Sequence, residues 1–133
     1  MAESSGKMVW TGRVISLLPS LAFIFSAFLK IKDGPEILKG FAHVGIPPSI
    51  MIPLAIVEIS CVVIYLIPAT SVIGAILITG FVGGTIITHW RSGDPFYIQI
   101  TLGILVWLGL YLREERLRAL IPIRRAAERL RYR

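Results

Sequence analysis

Four runs of apolar residues, at 14–29, 48–67, 70–88 and 96–112, occupy most of a 133-residue chain and leave little sequence for a water-soluble domain. A helix needs about 20 apolar residues to cross the hydrocarbon core, and about 17 at the short end, so each run is a candidate span. Backbone inside hydrocarbon must satisfy its own hydrogen bonds, and the runs lack the alternation of barrel strands, so they read as helices. The expected fold is all-α: a transmembrane four-helix bundle over residues 10–112, with a short N-terminal cytoplasmic segment, 1–9, and a basic cytoplasmic tail, 113–133, at the membrane surface.

Charge placement sets the expected orientation. Eight of the fourteen lysines and arginines follow the last run, and the net charge is +6. Arginines beside a membrane exit, with only Tyr132 as a stacking aromatic among them, favour anionic lipid headgroups over nucleic acid. Alternate threading puts Lys7, Arg13 and the tail arginines on one side, against Lys30, Lys32, Lys39 and Arg91 on the other. The positive-inside rule then puts both termini in the cytoplasm, as for a bacterial inner-membrane protein. Residues 1–8 are too weakly basic for a secretory leader, and Ser26-Ala27-Phe28 is a poor cleavage site, so the first span is expected to be retained. Cys61 is the only cysteine, which excludes an intrachain disulfide.

The second run carries Glu58 well inside it. A carboxyl at that depth costs roughly 2.5 to 3.5 kcal/mol on insertion scales, so it is expected to face protein or water, be neutralised, or find a partner. Leu54, Glu58, Cys61 and Tyr65 recur at helical spacing and form one stripe. That stripe suits the lining of a small-molecule pocket or proton path, and equally a neutral Glu bonded to a neighbouring helix. In the first run, Pro19 removes a donor, and Ser16 and Ser20 can serve the groups it frees. In the third run, Gly80 and Gly84, continued to Thr88, form a small-residue face expected to pack closely against another helix of the bundle.

The turn from Thr88 to Pro95 holds His89, Trp90, Arg91 and Asp94, and the topology brings it to the side of Lys30, Lys32, Asp33 and His43. Trp90 fits the aromatic belt. Asp94 before Pro95 is expected to cap the fourth helix, or else to pair with Arg91 or Lys30. Lys30, Glu58, His89, Arg91 and Asp94 are the candidates for one converging polar site. His43 and His89 lack any short metal-ligand spacing, so no metal is expected, and no phosphate-binding, dinucleotide-binding or nucleophile-elbow motif is present. Broken, repeat-related helices of a secondary transporter are not evident. In the tail, Leu117, Leu120, Ile121 and Leu130 beside the arginines suit an interfacial anchor, divided by Pro122, and equally a solvated basic end that only sets topology.

Gly12-Arg13-Val14, Glu58, Tyr65-Leu66-Ile67-Pro68, Gly83-Gly84, Thr88-His89, Arg91-Ser92-Gly93-Asp94-Pro95 and the stretch from Trp107 to Arg113 resemble the DoxX-like family of small four-helix membrane proteins. The resemblance covers nearly all of residues 10–124. It implies that Glu58, His89 and Asp94 occupy positions kept polar, and that Lys30 is the basic residue ending the first helix, although Ser26-Ala27-Phe28 departs from the small residue and glycine common there. Relatives include a subunit of a thiosulfate:quinone oxidoreductase, partners in oxidative-stress membrane complexes and, more distantly, receptor chaperones, and they supply no catalytic assignment. The reading is an accessory subunit near membrane redox chemistry, with a redox partner or a second copy beside it. A quinone is the expected kind of ligand, bound by Glu58, Tyr65 and His89. A membrane assembly protein working through helix contacts is the alternative, as is a small membrane enzyme or transporter using Glu58.

Overall fold

The computed structural model describes residues 6–121. Its helices are α1 (Gly6–Lys32), α2 (Pro35–His43), α3 (Met51–Leu66), α4 (Ser71–Arg91), α5 (Tyr97–Arg113) and α6 (Glu115–Leu120), with single 3-10 turns at Pro48–Ile50 and Pro68–Thr70. Among the described residues there is no strand, and α1, α3, α4 and α5 form the bundle. Three helical stretches, Gly6–Lys32, Pro48–Leu66 and Pro68–Arg91, are long and apolar enough to cross a membrane, and Tyr97–Arg113 is a shorter apolar helix of 17 residues. Each long helix packs against two others: α1 against α3 and α5, and α4 against the same pair. Leu, Ile, Phe and Val side chains project outward along all four, as expected where the surroundings are acyl chains.

Two elements depart from the sequence expectation. The first helix starts at Gly6, well before the apolar run, because Lys7, Thr11 and Arg13 can continue a helix into the headgroup layer. Residues 35–43, to which the sequence reading assigns no element, form the amphipathic helix α2, with Pro35 in its first turn and Glu36 near its N-terminus, where both are favourable. At the other end α6 docks on α5. The Arg118 guanidinium donates to the carbonyls of Leu112 at 2.6 Å and Tyr111 at 3.1 Å, and Leu117 is buried in the bundle core. Pro122 and the arginines beyond it, on which the divided-anchor reading rests, lie outside the described residues.

One end of the bundle is sealed. Gly12 on α1 faces Gly109 on α5 so closely that a β-carbon on Gly12 would stand 2.7 Å from the Arg113 nitrogen and 2.8 Å from the Gly109 carbonyl oxygen. A β-carbon on Gly109 would collide with Ser16, and one on Gly74 with the backbone of Tyr65. In lipid, close backbone approach of this kind holds helices together by dispersion and small-residue packing. Tyr65, fully buried, completes the seal: its hydroxyl donates to the Val106 carbonyl at 2.8 Å and lies 2.9 Å from Ser16 Oγ. The phenol has one proton and a carbonyl only accepts, so the Ser16 hydroxyl supplies the second bond. Both serines are buried inside the bundle, but the hydroxyl of Ser20 donates to the Ser16 carbonyl at 2.7 Å and that of Ser16 is engaged by Tyr65, so neither is bonded to the Ile15 carbonyl that Pro19 leaves without its helical donor.

Gly80 and Gly84 do not take part in such packing. A β-carbon on either would meet no atom within 4 Å, so the small-residue face expected to close a helix contact instead borders open space. Gly109→Val should therefore lower stability by about 1 to 3 kcal/mol, the usual range for overpacking. Gly84→Ala should change it by less than about 0.5 kcal/mol, the limit for sites away from such features. Thermal unfolding of both variants in the same detergent checks the difference.

Candidate functional site

At the end opposite Tyr65 the bundle holds a half-open cavity of about 670 Å3. Its walls come from all four long helices and from α2, which lies across it. Phe23 of α1, Leu54 of α3, Phe81 of α4, Leu102 of α5 and Ile37 and Phe41 of α2 supply apolar surface. The polar groups are Ser26, Lys30, Glu36, Glu58, Thr85, Thr88, His89 and Gln99. The space exists because Gly80 and Gly84 present no side chain to it. A mostly apolar recess with a few converging polar groups is the usual form of a small-molecule site, and its volume lies inside the usual range of about 300 to 1,000 Å3.

Glu58 sits on the cavity wall and is not exposed to lipid, its side chain being only 3% accessible. Lys30 of α1 reaches across to it, Nζ to Oε2 at 2.6 Å, and also donates to Ser26 Oγ one helical turn back, at 2.6 Å. The carboxyl thus has its partner on a neighbouring helix, and the pair as a whole borders the recess. Two opposite charges in a low-dielectric setting hold each other because each alone would be costly to bury.

Two matching chain reversals hold α2 in place. After α2, Gly45 at φ +76° lets the Ile46 amide donate to the Phe41 carbonyl and the Gly45 amide to that of Ala42. After α4, Gly93 at φ +78° lets the Asp94 amide donate to the His89 carbonyl and the Gly93 amide to that of Trp90. Both are Schellman caps, which need a left-handed residue that glycine adopts without strain. The second cap folds Asp94 back toward His89, with Asp94 Oδ2 at 3.7 Å from His89 Nδ1. It also aims Asp94 at His43, the last residue of α2, whose Nε2 lies 2.9 Å from both carboxylate oxygens. Arg91 adds a second tie, donating from Nη2 to the Val44 carbonyl at 2.6 Å.

The hydrogen bond from His43, aided by the charges of both histidines against some loss of hydration, holds the Asp94 carboxyl below its ordinary value. Asp94 therefore does not cap the fourth helix as expected: Phe96 stands at the N-cap of α5 and no side chain caps it. Nor does Asp94 pair with Arg91 or Lys30. The Schellman turn spends the geometry on His43 instead.

The sequence candidates thus divide. Lys30, Glu58 and His89 meet at the cavity, whereas Arg91 and Asp94 stand outside it and fasten α2. Tyr65, grouped with Glu58 by helical spacing, is absent from the cavity lining and belongs to the sealed end. Spacing placed it on the correct face and could not give its depth: seven residues separate it from Glu58, or about 10 Å of helix. Gln99, Glu36 and Phe41 were not singled out. A Gly-x-Pro pattern, at Gly45-Ile46-Pro47 and again at Gly93-Asp94-Pro95, was the available signal for the paired caps.

The model of the DoxX-like family matches residues 14–110, a segment that takes in the cavity and, at the sealed end, Ser16, Tyr65, Gly74 and Gly109. This chain belongs to the DoxX-like family. No curated protein and no solved structure gives a significant match. The DoxX-like match includes Lys30, Glu58, His89, Asp94 and Gln99, so the ion pair and the tie to α2 both fall within the shared region.

In this DoxX-like protein, Lys30→Met should destabilise the fold by about 3 kcal/mol, since it leaves a buried carboxylate alone, and the double variant Lys30→Met with Glu58→Leu should recover most of that loss. Unfolding of the single and double variants in detergent measures the coupling. The tie to α2 has its own pH dependence. A carboxyl whose value is lowered in the fold contributes stability above its ordinary value and loses it as the pH falls through the lowered one. Shifts of the Gly40 and Gly45 amide resonances should report α2 loosening in acid, below the usual aspartate range. Asp94→Asn should show the loosened positions at neutral pH and no such acid step.

Proposed function

We propose that this DoxX-like protein is an accessory subunit of membrane redox chemistry, and that its cavity binds an amphipathic ring compound of the quinone class. The carrying observation is the cavity itself, apolar on most of its wall yet bordered by the Lys30–Glu58 pair and by His89. A quinone headgroup is a flat apolar ring with oxygen atoms on opposite edges, and such a ligand needs a slot that is greasy along its faces and polar at one or two points. Phe23, Phe81 and Leu102 suit the ring and the start of a tail, while the Lys30 ammonium and the His89 imidazole are the groups able to meet an oxygen. Glu58 is a proton acceptor within reach of the same space. Tyr65 is not a third ligand in this site, because its hydroxyl is occupied at the sealed end.

The charge distribution supports an orientation. Lys7, Arg13, Arg113, Arg116 and Arg118 lie with the sealed end, and further arginines follow in the tail, so the positive-inside rule puts that end in the cytoplasm and the cavity toward the opposite side. A bacterial inner membrane suits this reading. The assembly alternative rested on close helix packing through Gly80 and Gly84, a face that borders the cavity.

A benzoquinone with a ten-carbon tail should bind saturably to the protein in lipid nanodiscs and not to empty nanodiscs. Gly84→Leu, which puts a side chain into the recess, should weaken that binding at least about tenfold, the equivalent of 1.4 kcal/mol. Equal binding to the wild type and this variant would remove the cavity from consideration as the site.

A further inference from the structure

Two sides of the cavity differ in what closes them. Toward the lipid it stands open: Gly80 and Gly84 are exposed and share a helix face with Ile73, Ile76 and Ile87, all outward-facing. Acyl chains fill such a gap, which admits apolar molecules and holds back ions. Toward the water layer at its own end of the bundle the cavity is covered by α2. Ile37 and Phe41, one turn apart, face the recess, while Lys39 and His43 are exposed.

This cover is not built into the bundle. No residue of α2 is buried, and its backbone lies close to the turn at Pro48–Ile50, whereas the four long helices pack among themselves. A left-handed residue stands before it, Asp33 at φ +59°, and another after it, Gly45 at φ +76°. Short stretches at the ends of an element are where hinge motion is absorbed. Among the described residues, the side-chain bonds that tie this segment to the rest of the chain come from the turn after α4: Asp94 to His43, and Arg91 to the Val44 carbonyl. The His43 side chain is 56% exposed and that of Asp94 31%, so the tie between them is made where water weakens it. An element with little buried surface and exposed bonds opens locally at low cost.

From this placement we propose that α2 is a lid between the cavity and the aqueous layer at that end, and that Asp94 and Arg91 form its latch. Released, α2 swings on Asp33-Gly34 and Gly45 and carries Ile37 and Phe41 off the wall, so that the Lys30–Glu58 pair and His89 meet water. Latched, the cavity communicates with lipid alone. The lid works the same way whichever molecule occupies the recess, so it stands apart from the quinone-class reading.

The test follows the reaction of a cavity cysteine with a cationic, membrane-impermeant methanethiosulfonate in lipid nanodiscs. Thr85→Cys, in a Cys61→Ala background, puts the thiol on the wall. It should react slowly with the latch intact. Adding Asp94→Asn and Arg91→Gln should speed the reaction roughly tenfold, as the open population rises by the summed strength of two partly exposed ties. Native Cys61, buried in the core and absent from the cavity lining, controls for general loosening: in protein that keeps Thr85 it should stay slow with and without the latch. Nitroxides on Lys39→Cys and Val63→Cys, both exposed positions, again without Cys61, give a second reading. One narrow distance is expected in the latched protein, and a second population with Asp94→Asn alone. A labelling rate unchanged by releasing the latch overturns the proposal, as does an equal gain at Cys61, which shows the bundle itself loosening. A single unchanged distance in Asp94→Asn overturns it independently, whether or not the double latch variant folds.

Discussion

The ion pair between Lys30 and Glu58 is the constraint around which this bundle is arranged. A carboxylate in the middle of a membrane helix is tolerated only with a partner or a polar surround, and here the partner comes from the end of α1, bent inward across the helix interface. Pairing fixes how α1 and α3 stand relative to one another at the cavity end. It also keeps both charges off the lipid-facing surface, where Leu17, Leu21, Ile52 and Ile56 are exposed. With the charges turned inward, the interior of that half of the bundle cannot be a dry aliphatic core, and a recess with mixed walls is the result.

The two halves solve the packing problem of helices in lipid in opposite ways. At the Tyr65 end, Gly12, Gly74 and Gly109 remove side chains so that backbones touch, and a buried hydroxyl ties α1, α3 and α5 together through Ser16 and the Val106 carbonyl. At the Glu58 end, Gly80 and Gly84 also remove side chains, yet no neighbour moves in to use the room. The same residue type therefore makes contact in one place and volume in the other. What decides is the partner opposite: a glycine, a serine or the Tyr65 backbone at the first, and no atom within 4 Å at the second.

That difference marks the limit of what a sequence discloses. The four apolar runs, the inward turn of Glu58 and the polar role of the turn after α4 are legible, since length, periodicity and the cost of a buried charge act locally along the chain. The partner of Glu58 is not, because Lys30 looks like an ordinary interfacial lysine until the crossing of α1 and α3 is known. Asp94 before Pro95 has the residues of an N-cap, and local preference loses to a glycine two positions from the helix end that swings the carboxylate toward α2. Spacing likewise aligned Tyr65 with Glu58 correctly, but two positions on one helical face can belong to separate layers. Among the glycines, only their neighbours in space separate Gly109 from Gly84.

The unequal lengths of α1 and α5 carry a consequence for the surrounding lipid. These helices are packed side by side and held level where Gly12 meets Gly109, but α1 has 27 residues and α5 has 17, or about 40 Å against about 25 Å of axis. Acyl chains next to α5 must compress to match it, because a stretch shorter than the hydrocarbon thickness is accommodated by local thinning of the bilayer. The thin strip then runs along the helix that carries Ile98, Gln99 and Leu102 on the cavity wall. A lipid-dissolved molecule drifting in the midplane of the bilayer has the shortest climb to the headgroup level at that strip.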